Sequence, residues 1–90
     1  MIIELFYAEG CQQCLRNRET LKTTAQQILP DIVWREVNVL EEIDYAVELG
    51  ILTLPAIVIN QELVFPKLPS AAQLTQAMNQ RITTDNPNGN

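Results

Sequence analysis

The sequence predicts one α/β domain: a mixed four-stranded sheet with helices on both faces, in the order β-α-β-α-β-β-α. Three observations predict it. Short apolar or β-branched runs of four to eight residues recur along the chain. Longer stretches between them repeat their apolar residues at helical spacing. The last two short runs are separated by only two residues, the length of a tight hairpin.

Ile2 to Tyr7 is nearly continuous in apolar residues and reads as a buried strand. From Gln12 to Leu29, the positions Cys14, Leu21, Ala25 and Ile28 recur at spacings of seven, four and three, which marks one face of a helix that Pro30-Asp31 ends. Ile32 to Val39 is rich in β-branched residues, contains the only Trp, Trp34, and reads as the second strand. A short helix is expected over Glu41 to Leu49, stopped by Gly50. Ala56 to Ile59 and Glu62 to Phe65 flank Asn60-Gln61, where Asn60 tolerates the positive φ of a hairpin turn and Gln61 is the less comfortable residue. Ser70 and Gln73 have the spacing of a capping box ahead of Leu74, Ala77, Met78 and Ile82, the apolar face of a final helix. The domain is expected to span residues 1–82, with the polar segment 83–90 as a frayed tail. The first two strands, joined through a helix, require a right-handed parallel crossover, and the last two pair antiparallel. A sheet of this kind must be covered on both faces.

Ninety residues, 47% of them apolar, suffice for one small core. Eleven acidic and six basic residues give a net charge of −5 with no basic stripe, which argues against nucleic acid as a partner. Runs such as Glu41-Glu42 with Asp44 read as solvated helix faces. No run of 18 or more apolar residues and no basic segment ahead of a hydrophobic one is present, so neither a membrane span nor a signal peptide is expected, and a cytoplasmic location follows.

Cys11 and Cys14 are the only cysteines, spaced C-Q-Q-C after the first strand. Residues i and i+3 share a side of a helix, so the two thiols can close a short disulfide. A cysteine at a helix N-terminus meets unsatisfied N–H groups and the positive end of the helix dipole, which favour its thiolate. Cys11 is then the attacking thiol and Cys14 the resolving one. Half of a zinc site, inert core cysteines and a structural disulfide remain open from spacing alone. The absence of His and of a second CxxC means that tetrahedral ligation by protein groups would take a dimer. The Glu9-Gly10 approach suggests an exposed turn rather than a packed core.

With these residues in view, the chain resembles the thioredoxin-like superfamily, in its small thioredoxin- or glutaredoxin-sized members. The resemblance rests on Phe6-Tyr7-Ala8-Glu9-Gly10-Cys11-Gln12-Gln13-Cys14, on Val37-Asn38-Val39, and on Gly50-Ile51-Leu52-Thr53-Leu54-Pro55-Ala56, and it spans about residues 2–80. It implies a cis peptide bond before Pro55, which from the chain alone is simply a proline opening a strand. It also implies that the backbone of Leu54 lies beside the CxxC and pairs with an extended substrate segment. Gly10, Gln12 and Gln13 stand where thioredoxins usually carry Trp before the first cysteine and Gly-Pro between the two, so an apolar docking surface is missing and the redox potential should differ. The family's buried carboxylate falls on Leu5 and its partner lysine on Glu36. Glu36 is thus a candidate to accept the proton of Cys14, set against the plainer reading of a solvated strand residue. The segment Phe65 to Ala72 lacks the Gly-Gly pair with which glutaredoxins bind glutathione, and Lys67 there reads as a solubilising side chain. Tyr7 and Trp34 read as packing, and Arg16, Arg18 and Lys22 as a solvated helix face.

The expected function is that of a thiol–disulfide oxidoreductase reducing protein disulfides, with no metal and no organic cofactor. Its partners would be a disulfide-containing protein and an upstream dithiol or reductase, with no nucleic acid and no membrane, and the protein would act as a monomer. The alternatives are a glutathione-dependent glutaredoxin and a non-catalytic module that senses redox state or shares a metal across a dimer.

Overall fold

A computed structural model describes residues 1–10 and 18–85. Cys11, Gln12, Gln13, Cys14 and Arg16 lie outside the described residues, as does the segment 86–90. Strand β1 (Ile2–Tyr7) is followed by α1 (Arg18–Ile28), β2 (Val33–Asn38), α2 (Ile43–Leu49), β3 (Ala56–Ile59), β4 (Glu62–Phe65) and α3 (Ala71–Asp85). The strands lie in the order β2-β1-β3-β4. β1 runs parallel to β2, from Ile2 opposite Val33 to Tyr7 opposite Asn38. β3 runs antiparallel to both β1 and β4.

β1 lies between β2 and β3 and is covered on both sides, so its residues are apolar on both faces except for Glu4. Ile3 and Leu5 point into a core shared with Ile57 and Ile59 of β3, Leu21 and Ala25 of α1, and Leu74, Ala77 and Met78 of α3. Phe6 points the other way, with Val37, Ala46 of α2, Ala56 and Val58. Each fully buried Leu, Ile or Phe contributes about 1.5–3 kcal/mol, so the two layers hold the sheet from both faces.

The turn chemistry determines where the elements stop. Asn60 and Gln61 have φ of 50° and 65°. The Asn60 N–H donates to the Ile2 carbonyl at 2.8 Å, and its Oδ1 accepts from the Ile2 N–H at 2.9 Å, which ties the hairpin turn to β1. Gln61, a non-glycine residue in the left-handed region, carries a Cβ penalty. Replacing Gln61 with Gly should raise stability by about 0.5–1 kcal/mol in urea denaturation, the relief of that penalty less the extra chain entropy of glycine.

Gln73 N–H donates to Ser70 Oγ at 3.1 Å and Ser70 N–H to Gln73 Oε1 at 2.9 Å, a reciprocal capping box at the start of α3. The helix then runs to Asp85, three residues beyond the expected domain boundary at Ile82. The polar run Thr83-Thr84-Asp85 holds no Gly or Pro, and the first breaker in the sequence is Pro87. α2 starts at Ile43 rather than Glu41 because the preceding residues form a turn: the Leu40 N–H donates to Asn38 Oδ1 and the Glu41 N–H to the Asn38 carbonyl, both at 3.0 Å. Gly50, with φ of 78°, ends α2 as expected.

Candidate functional site

Parallel pairing of β1 with β2 and antiparallel pairing of β1 with β3 bring three connections to one end of the sheet. β1 ends in Tyr7 and leads through the exposed turn Glu9-Gly10 toward Cys11. The segment after β2 is tied to it, since the Val39 N–H donates to the Tyr7 carbonyl at 2.9 Å. β3 begins opposite Phe6 at Ala56, so Leu54 and Pro55 arrive at this same end, just beyond the ladder.

Gly10 has φ of 82° and no heavy atom within 4 Å of where a Cβ would sit. The constraint there is backbone conformation rather than space, and an L side chain would be strained. The Leu54–Pro55 peptide bond is cis. Pro55 is buried, and Leu54 is half-buried with its side chain against the Phe6–Val58 core. Thr53 Oγ1 donates to the Pro66 carbonyl at 2.5 Å, which anchors this loop to the end of β4. The structure thus brings Gly10, Leu54 and Pro55 to one end of the sheet. Gln12, Gln13 and both cysteines lie outside the described residues.

Glu36 sits beside Leu5 in the parallel ladder. Arg18 Nη1 donates to its Oε1 at 2.9 Å and Trp34 Nε1 to its Oε2 at 3.2 Å, and its side chain is 26% exposed. Both oxygens are therefore engaged. Arg18 was expected on a solvated helix face; it instead reaches from the start of α1 across to the edge strand. Trp34 packs against the core, as expected, and also orients Glu36. Tyr7 is half-buried at the end of β1.

Sequence reasoning missed a second charged cluster. Glu4, in the middle of β1, is 1% exposed. Its Oε1 accepts from the Tyr45 hydroxyl at 2.6 Å, and its Oε2 lies 3.0 Å from Arg35 Nη1. The Arg35 contact is an ion pair without hydrogen-bond alignment, so Oε2 is held by charge alone. Burial, then the hydrogen bond to Glu4, pushes the Tyr45 phenol up to about 12. The Tyr45 ring also packs on Phe6, with centroids 5.7 Å apart. One signal was present in the sequence: a carboxylate inside a strand buried on both faces requires a partner.

A β2-β1-β3-β4 sheet with α1 and α3 on one face and α2 on the other, and a proline opening β3 at the end where β1 delivers Gly10, defines a thioredoxin-like protein. No protein-family model matches the chain. It is 35% identical over 81 residues to the thioredoxin of Methanocaldococcus jannaschii, an alignment that covers 89% of this chain and 94% of that protein. Among solved structures, thioredoxin 1 of Thermosipho africanus superposes with a TM-score of 0.76 at 21% identity, covering 96% of this chain and 99% of that one. Chloroplastic thioredoxin z superposes with a TM-score of 0.67 at 27% identity, covering 88% of this chain and 75% of that one. The chain belongs to the thioredoxin family. It is a protein-disulfide oxidoreductase.

Proposed function

We propose that Cys11 and Cys14 carry this activity, in the direction of protein-disulfide reduction. The observation that supports the reading is positional: buried β1 ends in an exposed glycine turn immediately before Cys11, at the end of the sheet where Leu54 and Pro55 also lie. The Cys11 thiolate attacks one sulfur of the substrate disulfide, and the other sulfur leaves as a thiolate that takes up a proton. Cys14 gives up its proton and attacks Cys11 Sγ, releasing the second substrate thiol. Two electrons pass from the dithiol to the substrate, and the protein is left with a Cys11–Cys14 disulfide. An upstream dithiol or reductase restores it, completing an electron-transport step. Gly10, Gln12, Gln13, Leu54 and Pro55 form the docking edge, with the backbone at Leu54 pairing to an extended substrate segment. The cytoplasm, where thiols are kept reduced, suits this traffic.

In this reading Glu36 accepts the Cys14 proton, and its place beside Leu5 supports that role. With a disulfide-bonded protein as substrate and dithiothreitol as donor, catalytic amounts of the protein should raise the reduction rate well above that of dithiothreitol alone; an unchanged rate contradicts the reading. Glu36→Gln should slow release of the mixed disulfide by about 100-fold or more while its formation is unaffected, the scale of a lost general base. Equal release rates across pH would remove Glu36 from the mechanism.

A further inference from the structure

We propose that an apolar, acid-rimmed surface made by Leu40, Ile43, Val47 and Leu52 docks protein substrates whose disulfide is flanked by apolar and basic side chains. The proposal rests on the Cys11–Cys14 reading and assigns it a substrate class.

These four side chains are 67%, 54%, 71% and 93% exposed, and all fall within one short stretch of chain. Among the described residues, the other large exposed apolar side chains, Ile2 and Val33, face each other at the opposite end of the sheet. Ile43 and Val47 are one helical turn apart and form a stripe on the outer side of α2, away from buried Ala46. The local structure holds the two flanking leucines outward. Leu40 sits in the turn that Asn38 pins through its own Oδ1 and carbonyl. Leu52 lies between the Gly50 cap and Thr53, which is bonded to the Pro66 carbonyl. Beside Leu52, residues Gly50, Ile51, Thr53, Ala56, Leu63 and Pro66 enclose an apolar cleft of about 270 Å³. β2 ends opposite Tyr7 just before Leu40, and Leu52 lies two residues before Leu54, so both leucines are in connections at the end of the sheet that carries Gly10. Exposed apolar side chains grouped in this way mark an interaction surface rather than scattered exposure.

Charge selects the occupant. Exposed Glu41, Glu42, Asp44 and Glu48 alternate in the chain with Leu40, Ile43 and Val47, and the sequence holds no Lys or Arg between Arg35 and Lys67. Among the described residues no ion pair involves any of these four carboxylates, and Arg35 is engaged with Glu4. A second copy of the chain would set the same carboxylates against each other, at a net charge of −5 per copy. A partner with a basic rim instead gains attraction to these carboxylates, which raises the encounter rate.

The test uses the full-length reduced protein and two synthetic peptides with the same intramolecular disulfide and leucine neighbours, one flanked by lysine and arginine and the other by glutamate. The basic peptide should be reduced about tenfold faster at low salt, with the gap closing at about 0.5 M salt, where screening acts within a few Å. Replacing Glu41, Glu42, Asp44 and Glu48 together with Lys should invert the preference. Leu52→Ser should slow the basic peptide several-fold. Reduction of hydroxyethyl disulfide, small and uncharged, should be the same in every variant. Equal rates for the two peptides, with hydroxyethyl disulfide still reduced, would overturn the docking proposal and leave the cysteine chemistry standing. No reduction of hydroxyethyl disulfide by the unaltered protein would overturn both. Sedimentation of a dimer that Leu52→Ser disperses would assign the surface to a second copy and overturn it as well.

Discussion

Replacing Cys14 with Ser should turn the protein from a turnover catalyst into a trap. The Cys11 thiolate still attacks a substrate disulfide, but no second thiol remains to displace the product, and a mixed disulfide through Cys11 accumulates. Multiple turnover should fall by three orders of magnitude or more, roughly the scale of losing a group that acts as one unit with the nucleophile. Cys11→Ser should lose turnover to the same degree and trap nothing. Intact mass under non-reducing conditions separates the two. If Cys11→Ser were the variant that trapped substrate, the assigned roles would be reversed; if both variants retained turnover, the dithiol mechanism would be wrong.

The second large effect is on stability. In Tyr45→Phe the ring stays on Phe6, but Glu4 Oε1 loses its 2.6 Å donor inside the sheet. A buried carboxylate without that bond should cost about 2–3 kcal/mol in denaturant unfolding. Replacing Glu4 with Leu alongside Tyr45→Phe should recover most of the loss, because an apolar pair leaves no charge to satisfy. The pH dependence has a definite sign. A phenol with its folded pKa raised from 10.0 to about 12 contributes stability that is fully present below pH 10 and is lost as pH rises toward 12. Tyr45→Phe should lack this alkaline loss, and the tyrosinate absorbance step near pH 12 should vanish with it. An unchanged step would mean that Tyr45 does not hold the shifted phenol.

Local signals made most of the fold legible. β3 and β4 occupy the residues that their apolar runs and the Asn60-Gln61 turn marked, and the Ser70–Gln73 pair starts the last helix. Helix ends were less legible where the competing interaction is itself local: Asn38 holds Leu40 and Glu41 in a turn that the charge pattern alone assigned to α2. Contacts across the fold were the hardest to read. Glu4 was absorbed into an apolar run, and its partner Tyr45 is 41 residues away, on a helix whose docking depends on the whole second core layer. Arg35 becomes visible as its neighbour only once Ile2 is set opposite Val33. Arg18 looked solvated because periodicity describes its helix and not the edge strand beside it. Of the candidate site, the topology carries Gly10, Leu54 and Pro55 to one end. The cysteine pair stands out in the sequence by its spacing but lies outside the described residues, and the experiments above address its chemistry.

The most direct measurement is the redox equilibrium of the pair, titrated against defined dithiol and disulfide buffers, quenched by alkylation and read by mass. The account predicts a single two-electron transition between a dithiol and an internal Cys11–Cys14 disulfide, with a midpoint of roughly −270 to −200 mV, the span from thioredoxin to glutaredoxin values. A protein that never forms the internal disulfide, and takes up two alkyl groups at every potential, would contradict it.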